Sequence, residues 1–216
     1  MWYSANDLAG RTADFYNCKG SYTFNILGIC DHRHRLRHIS VGNVGRTGDN
    51  PIWTQCKPCL EPDHHFTNSQ YLLAHSVFVP SDHIVAMFPR SAKSDLSVDE
   101  HKFNHHMATG RSEVEHTFGL LKGRFSSLRG LWTSITSKRH EATVGGWIRA
   151  CVVLHNLLLD NGEDLSEYVL EPTLPEEPYG LAPRGKEMAS QHHPLRQSIM
   201  VSMGLGEPGG PRWVAR

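Results

Sequence analysis

The chain has 216 residues, enough for one domain with a real core, or for one domain and a tail. An apolar share of 39% and a charged share of 20% exclude a coiled coil and a wholly disordered chain. The longest apolar stretch, Ile148 to Leu159, is broken by Arg149, His155 and Asn156, which excludes the long apolar run of a membrane span; the 22 basic and 22 acidic residues cancel, so net charge selects no partner.

Charge is nevertheless uneven along the chain. Between His101 and His140, seven Lys/Arg face only Glu113 and Glu115; between Asp160 and Glu187, eight acids face Arg184 and Lys186. A neutral total therefore hides a basic segment and an acidic one. Many of the fifteen histidines are clustered, as in His32, His34 and His38 or His105 and His106, and titrate near neutrality. The N-terminus has neither the basic start nor the apolar core of a signal peptide, and five cysteines cannot all pair. Both point to an intracellular chain with reduced thiols.

In chain order, Tyr22 to Ile29 and Leu36 to Val41 flank the polar turn Asp31-His-Arg-His-Arg and read as an antiparallel hairpin, being rich in β-branched and aromatic residues. Asp49-Asn-Pro51 is a helix start leading into Ile52 to Leu60. Tyr71 to Phe78 and Ile84 to Phe88 are two further strands. Ser97-Val-Asp-Glu100 is a capping box, after which Val114, Phe118, Leu121, Phe125 and Leu128 repeat on one helical face, with Gly110 as a point where the helix could divide. A helix from about Glu141 to Leu159 is apolar almost all round and is expected to be buried. Beyond Asn161-Gly162 the Pro-, Gly- and acid-rich sequence reads as a flexible tail, so the expected division is a domain at 1–160 and a tail at 161–216. Strands first and helices afterwards make the fold class α/β.

Four segments carry a resemblance: Tyr16-Asn-Cys-Lys-Gly-Ser-Tyr-Thr-Phe-Asn25, Gly45-Arg-Thr-Gly-Asp-Asn-Pro-Ile-Trp53, Tyr71-Leu-Leu-Ala-His-Ser-Val-Phe78, and Phe103-Asn-His-His with Glu113-Val-Glu-His-Thr-Phe-Gly-Leu-Leu-Lys-Gly-Arg-Phe125. With Val153-Leu-His-Asn156 they resemble the nuclease domain of PIF/Harbinger-type DDE transposases over about residues 14–160. The resemblance implies an RNase H-like mixed sheet flanked by helices. In it, three carboxylates would hold two Mg²⁺ or Mn²⁺ ions for phosphodiester hydrolysis and strand transfer on DNA. Two hard ions about 3.5–4 Å apart suit that chemistry because they stabilise the attacking and the leaving oxygen together.

Set against that family, Glu115 matches the third carboxylate. His75 stands where the second, an Asp, is expected, and Asp49 is a further acid near the site that also reads as a helix cap. The first Asp, in an Asp-Gly-Thr segment on the central strand, would lie before Met1. The expectation is thus a sheet without its first strand and a nuclease disabled by an incomplete triad, the remnant of an element or a gene begun at an internal Met. Implied metal contacts are Glu115, Asp49 and His75. Arg111, Lys122, Arg124 and Arg129 are the candidate contacts to a DNA backbone, bound weakly and without sequence preference. Resemblance also implies nuclear location and a separate Myb-like DNA-binding partner. Two other readings stand beside it: a non-catalytic nucleic-acid or protein-binding module, and a structural zinc site at Cys56-Lys-Pro-Cys59 with His64 and His65, for which incidental thiols are the simpler account.

Overall fold

The structure, a computed structural model, describes residues 24–44, 47–67, 70–89, 96–130, 137–168 and 193–205. Its elements in chain order are β1 (Phe24–Cys30), β2 (Leu36–Val44), α1 (Asp49–Trp53), α2 (Lys57–Leu60), α3 (Pro62–His65), β3 (Leu72–Ala74), β4 (Ile84–Ala86), α4 (Val98–Arg124), α5 (Lys138–Asp160) and α6 (Pro194–Ser202). This is a mixed α/β chain, and it forms two compact units. One comprises residues 1–56 and 112–174, the other 57–111 and 175–216. The expected single domain at 1–160 is thus divided between two units, and α4 contributes residues to both.

In the first unit β1 and β2 pair antiparallel, Leu27 opposite Ser40 and Ile29 opposite His38, with register shifts on either side of this stretch. Asp31 closes the turn: its carboxylate accepts from the amides of Arg33 and Arg35 at 2.9 and 3.2 Å and from Arg37 Nε at 2.8 Å. Burial pushes its pKa up, but these donors outweigh it and hold the carboxyl below the usual range. His34 ends the turn with φ of 60°, a left-handed backbone that few residues other than Gly adopt. Leu36, Leu121, Leu128, Val144, Ile148, Cys151 and Val152 form the core, with Ile26, Ile39, Phe118 and Phe125 packed on it. Gly28 lets the strand lie against the Phe118 ring, because a Cβ there would come within 2.7 Å of Cζ.

In the second unit β3 and β4 pair in parallel, Leu73 opposite Val85. Val85, Phe88, Phe103, Met107, Met200 and Leu205 make its core. The capping box forms as read: Ser97 N donates to Glu100 Oε2 at 2.8 Å and Glu100 N to Ser97 Oγ at 3.2 Å. Gly110 does not divide α4. It admits Leu73, whose Cδ1 would lie 2.7 Å from a Cβ at that position.

Other expectations are altered. Ile52 to Leu60 is two short helices rather than one. The strand expected at Tyr71 to Phe78 is only three residues long, because the chain turns at His75, whose carbonyl accepts from Phe78 N at 3.1 Å. Among the described residues the strands make two separate pairs, not one mixed sheet. Helix α5 is buried on one face only: Ile148 and Cys151 are enclosed, whereas Trp147, Val153, Leu154 and Leu157 are about half exposed or more. Within the segment expected as tail, Pro194–Ser202 is a helix. It buries Met200 and Arg196, with the Arg196 guanidinium 3.9 Å from the Phe88 ring centroid and donating to the Ala86 carbonyl at 3.4 Å. The beginning of the first motif (Tyr16 to Thr23), Trp132 and residues 169–192 lie outside the described residues.

Candidate functional site

His75 follows β3 directly, as a ligand at a strand end should, but its chemistry differs from an acid's. The Arg111 guanidinium donates to His75 Nε2 at 2.7 Å, both residues lying in the second unit. That hydrogen bond occupies the lone pair a metal would need and sets a cation beside it.

Glu115 and Asp49 belong to the first unit. Glu115 is exposed on α4. Asp49 is not the cap of α1: that position is Gly48, which supplies no side-chain bond, and Asp49 sits in the first turn, where a negative charge suits the helix dipole. Its Oδ1 accepts from Asn25 Nδ2 at 3.2 Å. One amide-bonded carboxylate, one exposed glutamate and one imidazole bonded to a guanidinium are not a donor set for two hard divalent ions.

The candidate phosphate contacts separate by burial. Arg124, with a side chain only 4% exposed, pairs with Glu163 at 2.7 Å, donates to His155 Nδ1 at 3.0 Å and lies 4.9 Å from the Tyr168 ring centroid. It is an interior strut, a departure from the expected phosphate contact. Burial also holds the Lys122 ammonium below its usual pKa. Arg111 is engaged with His75, which leaves Arg129 as the exposed member of the four.

The motif residues His155 and Asn156 have structural work. His155 is fully buried; its Nδ1 accepts from Arg124, so Nε2 carries the proton and donates to the His34 carbonyl at 3.0 Å. Burial first, then the Arg124 charge, holds this imidazole below its ordinary pKa, against the opposing hydrogen bond to His34. Asn156 takes both backbone groups of Leu36, accepting from its amide at 3.0 Å and donating to its carbonyl at 2.9 Å. Asn104, in the Phe103-Asn-His-His motif, does the same to Phe88 at 2.8 and 2.9 Å.

One constellation was not singled out from sequence. His34, Glu113 and His116 each offer a donor atom within 4.8 Å of the others, the one such group of His, Cys, Asp and Glu among the described residues. His34 Nδ1 is 3.5 Å from Glu113 Oε2 and 3.2 Å from Thr117 Oγ1, and the His34 and His116 rings meet edge to face at 4.8 Å. The Glu-x-x-His spacing on α4 was legible; its meeting with a turn some eighty residues earlier was not. Cys56 and Cys59 form no such group among the described residues: the buried Cys56 thiol donates to the Ile52 carbonyl at 3.3 Å.

Helix α5 is the one described helix with the length and apolar composition to cross a membrane. Of the polar residues in its second half, His155 and Asn156 are bonded to the hairpin backbone, as in a core helix.

Comparison with known proteins agrees with the motifs. The family model described as "DDE superfamily endonuclease" matches residues 4–156. The chain is 22% identical over 199 residues to "Putative nuclease HARBI1" of Mus musculus, covering 92% of this chain and 54% of that protein. The Homo sapiens protein of the same name is 23% identical with the same coverage, and that of Bos taurus 27% identical over 179 residues, covering 82% and 48%. The chain thus spans about half the length of these relatives. No solved structure matches it at a significant level. With 153 of its 216 residues inside the family model, the chain belongs to the DDE superfamily endonucleases, as a Harbinger-type nuclease domain.

Proposed function

We propose that this domain descends from an RNase H-like, divalent-metal-dependent DNA nuclease and no longer cleaves DNA. The observation that carries the reading is the Arg111–His75 hydrogen bond of 2.7 Å, which sets a cation on the residue that the resemblance aligns with the second acid. In two-metal phosphoryl transfer the carboxylates supply the negative charge that gathers the ions. A guanidinium at that place repels them, and Glu115 by itself supplies one charge. The test is nicking of supercoiled duplex DNA in Mg²⁺ or Mn²⁺. No cleavage above background is expected, and Glu115→Ala should change nothing. Metal-dependent cleavage that disappears in Glu115→Ala would overturn the reading.

What persists, in this reading, is weak contact with the nucleic-acid backbone through exposed cations. Arg129, Lys138 and Arg139 are exposed, and Arg129 is oriented by donating from Nε to the Lys122 carbonyl at 3.1 Å. Binding should weaken with salt and fall on charge reversal at Arg129; the absence of measurable binding at low salt would remove this part.

A further inference from the structure

We propose that His34, Glu113 and His116 form a binding site for a single transition-metal ion of the Zn²⁺ type, which fastens the β1–β2 turn to α4 and is separate from the family's carboxylate site. The donors fit that class of ion. Two imidazoles and one carboxylate are a borderline set that suits Zn²⁺, Co²⁺ or Ni²⁺ and is poor for Mg²⁺.

The geometry is largely in place. Glu113 and His116 are three residues apart and share a face of α4. At metal–ligand distances of about 2.0–2.2 Å, tetrahedral donors lie roughly 3.4 Å apart. His34 Nδ1 and Glu113 Oε2 already stand at 3.5 Å. The group as a whole, spread over at most 4.8 Å, needs a contraction of roughly an ångström. His116 is exposed and can supply it by turning its side chain.

The third ligand is held before any ion arrives. His34 sits at φ 60°, a backbone state that persists only when its surroundings fix it. They do so from both sides: its amide donates to the Asp31 carbonyl at 3.0 Å, and its carbonyl accepts from His155 Nε2 at 3.0 Å. The fully buried Thr117, whose hydroxyl donates to the Glu113 carbonyl at 2.7 Å, lies against the His34 ring from the helix side. Glu115 is not part of this cluster, since two residues along a helix is a rotation of about 200° from Glu113.

The test uses the whole chain, stripped with chelator and titrated with Zn²⁺ by calorimetry and with Co²⁺ by visible absorption. One equivalent is expected, with the intense d–d bands of a tetrahedral Co²⁺ site. His116→Ala, at an exposed position, and His34→Asn, which keeps a residue that accepts the left-handed backbone, should each weaken binding by about tenfold or more. Glu115→Gln and Cys59→Ser should leave it intact. Binding that survives His116→Ala and His34→Asn, binding that instead needs Cys59, or no stoichiometric uptake would overturn the proposal. Because Glu115→Gln isolates the carboxylate site, loss or survival of the nuclease reading leaves this result unaffected.

Discussion

At the scale of single residues, several side chains that the motifs bring to notice do structural work on backbone groups. Asn104 and Asn156 each satisfy both the amide and the carbonyl of one residue, Phe88 and Leu36. An asparagine is suited to this because its side chain offers one acceptor and two donors. His155 acts likewise on His34, and its neutral state is what allows Nδ1 to accept from Arg124. Its depressed pKa sets the sign of a pH dependence. An unfolded chain takes up a proton on this imidazole below about pH 6.5, where the folded protein still resists it, so the unfolded state binds more protons. The contribution of His155 to stability is therefore complete above about pH 6.5 and is lost as pH falls from there toward the folded pKa. Urea unfolding of the native chain and of His155→Gln between pH 5 and 8 checks this. The difference between them should shrink as pH falls, and a constant difference would refute the assignment. The groups acting on His155 are Arg124, the backbone and the imidazole of His34, and Glu163, and of the charges Glu163 alone opposes the depression.

At the scale of elements, two glycines separate what a helix or strand prefers from what its neighbours permit. Gly28 faces the Phe118 ring, which is packed on the core of the first unit, so Gly28→Ala must displace an aromatic ring; a loss of about 1–3 kcal/mol is expected. Gly110 faces only the methyl end of Leu73, a side chain 38% exposed and able to turn away. Gly110→Ala should therefore be neutral or gain up to about 1 kcal/mol from helix propensity. Equilibrium denaturation of both variants checks the contrast, and equal losses would mean that the Gly110 contact is as rigid as that at Gly28. The same logic explains why α5 departs from expectation. Its sequence is apolar nearly all round, but the hairpin and α4 offer cover to one face, so Ile148 is enclosed and Val153 is left 64% exposed.

At the scale of the whole molecule, the neutral net charge conceals where cations are free. Counting along the chain gave four candidate phosphate contacts, but Arg124 pairs with Glu163 inside the first unit, and Arg111 bonds His75 in the second. Counterion release scales with the number of phosphates neutralised, so the proposed DNA contact through Arg129, Lys138 and Arg139 is expected to show a shallow salt slope of about −2 to −3. Removing one of them, by Arg129→Glu, should flatten it by about one. Charge reversal at Arg124 is a different experiment: it strands Glu163 and His155 and should unfold the first unit instead of weakening DNA contact.

What the sequence by itself determined is what depends on neighbours along the chain: the hairpin, the capping box at Ser97 and Glu100, the presence of the α5 helix and the motifs that place the chain in its family. Spacing of apolar residues and cap chemistry act within a few residues, so one sequence suffices to read them. The absence of an acid at position 75 was equally plain. Only the tertiary structure decided that Arg111 bonds His75, that Arg124 is enclosed, that Met200 and Arg196 complete a core, and that His34 meets Glu113 and His116. Each of these joins elements that the chain brings together only when it folds. Whether a given arginine meets a phosphate, a glutamate or an imidazole depends on which surface its helix buries, and spacing along the sequence does not contain that information.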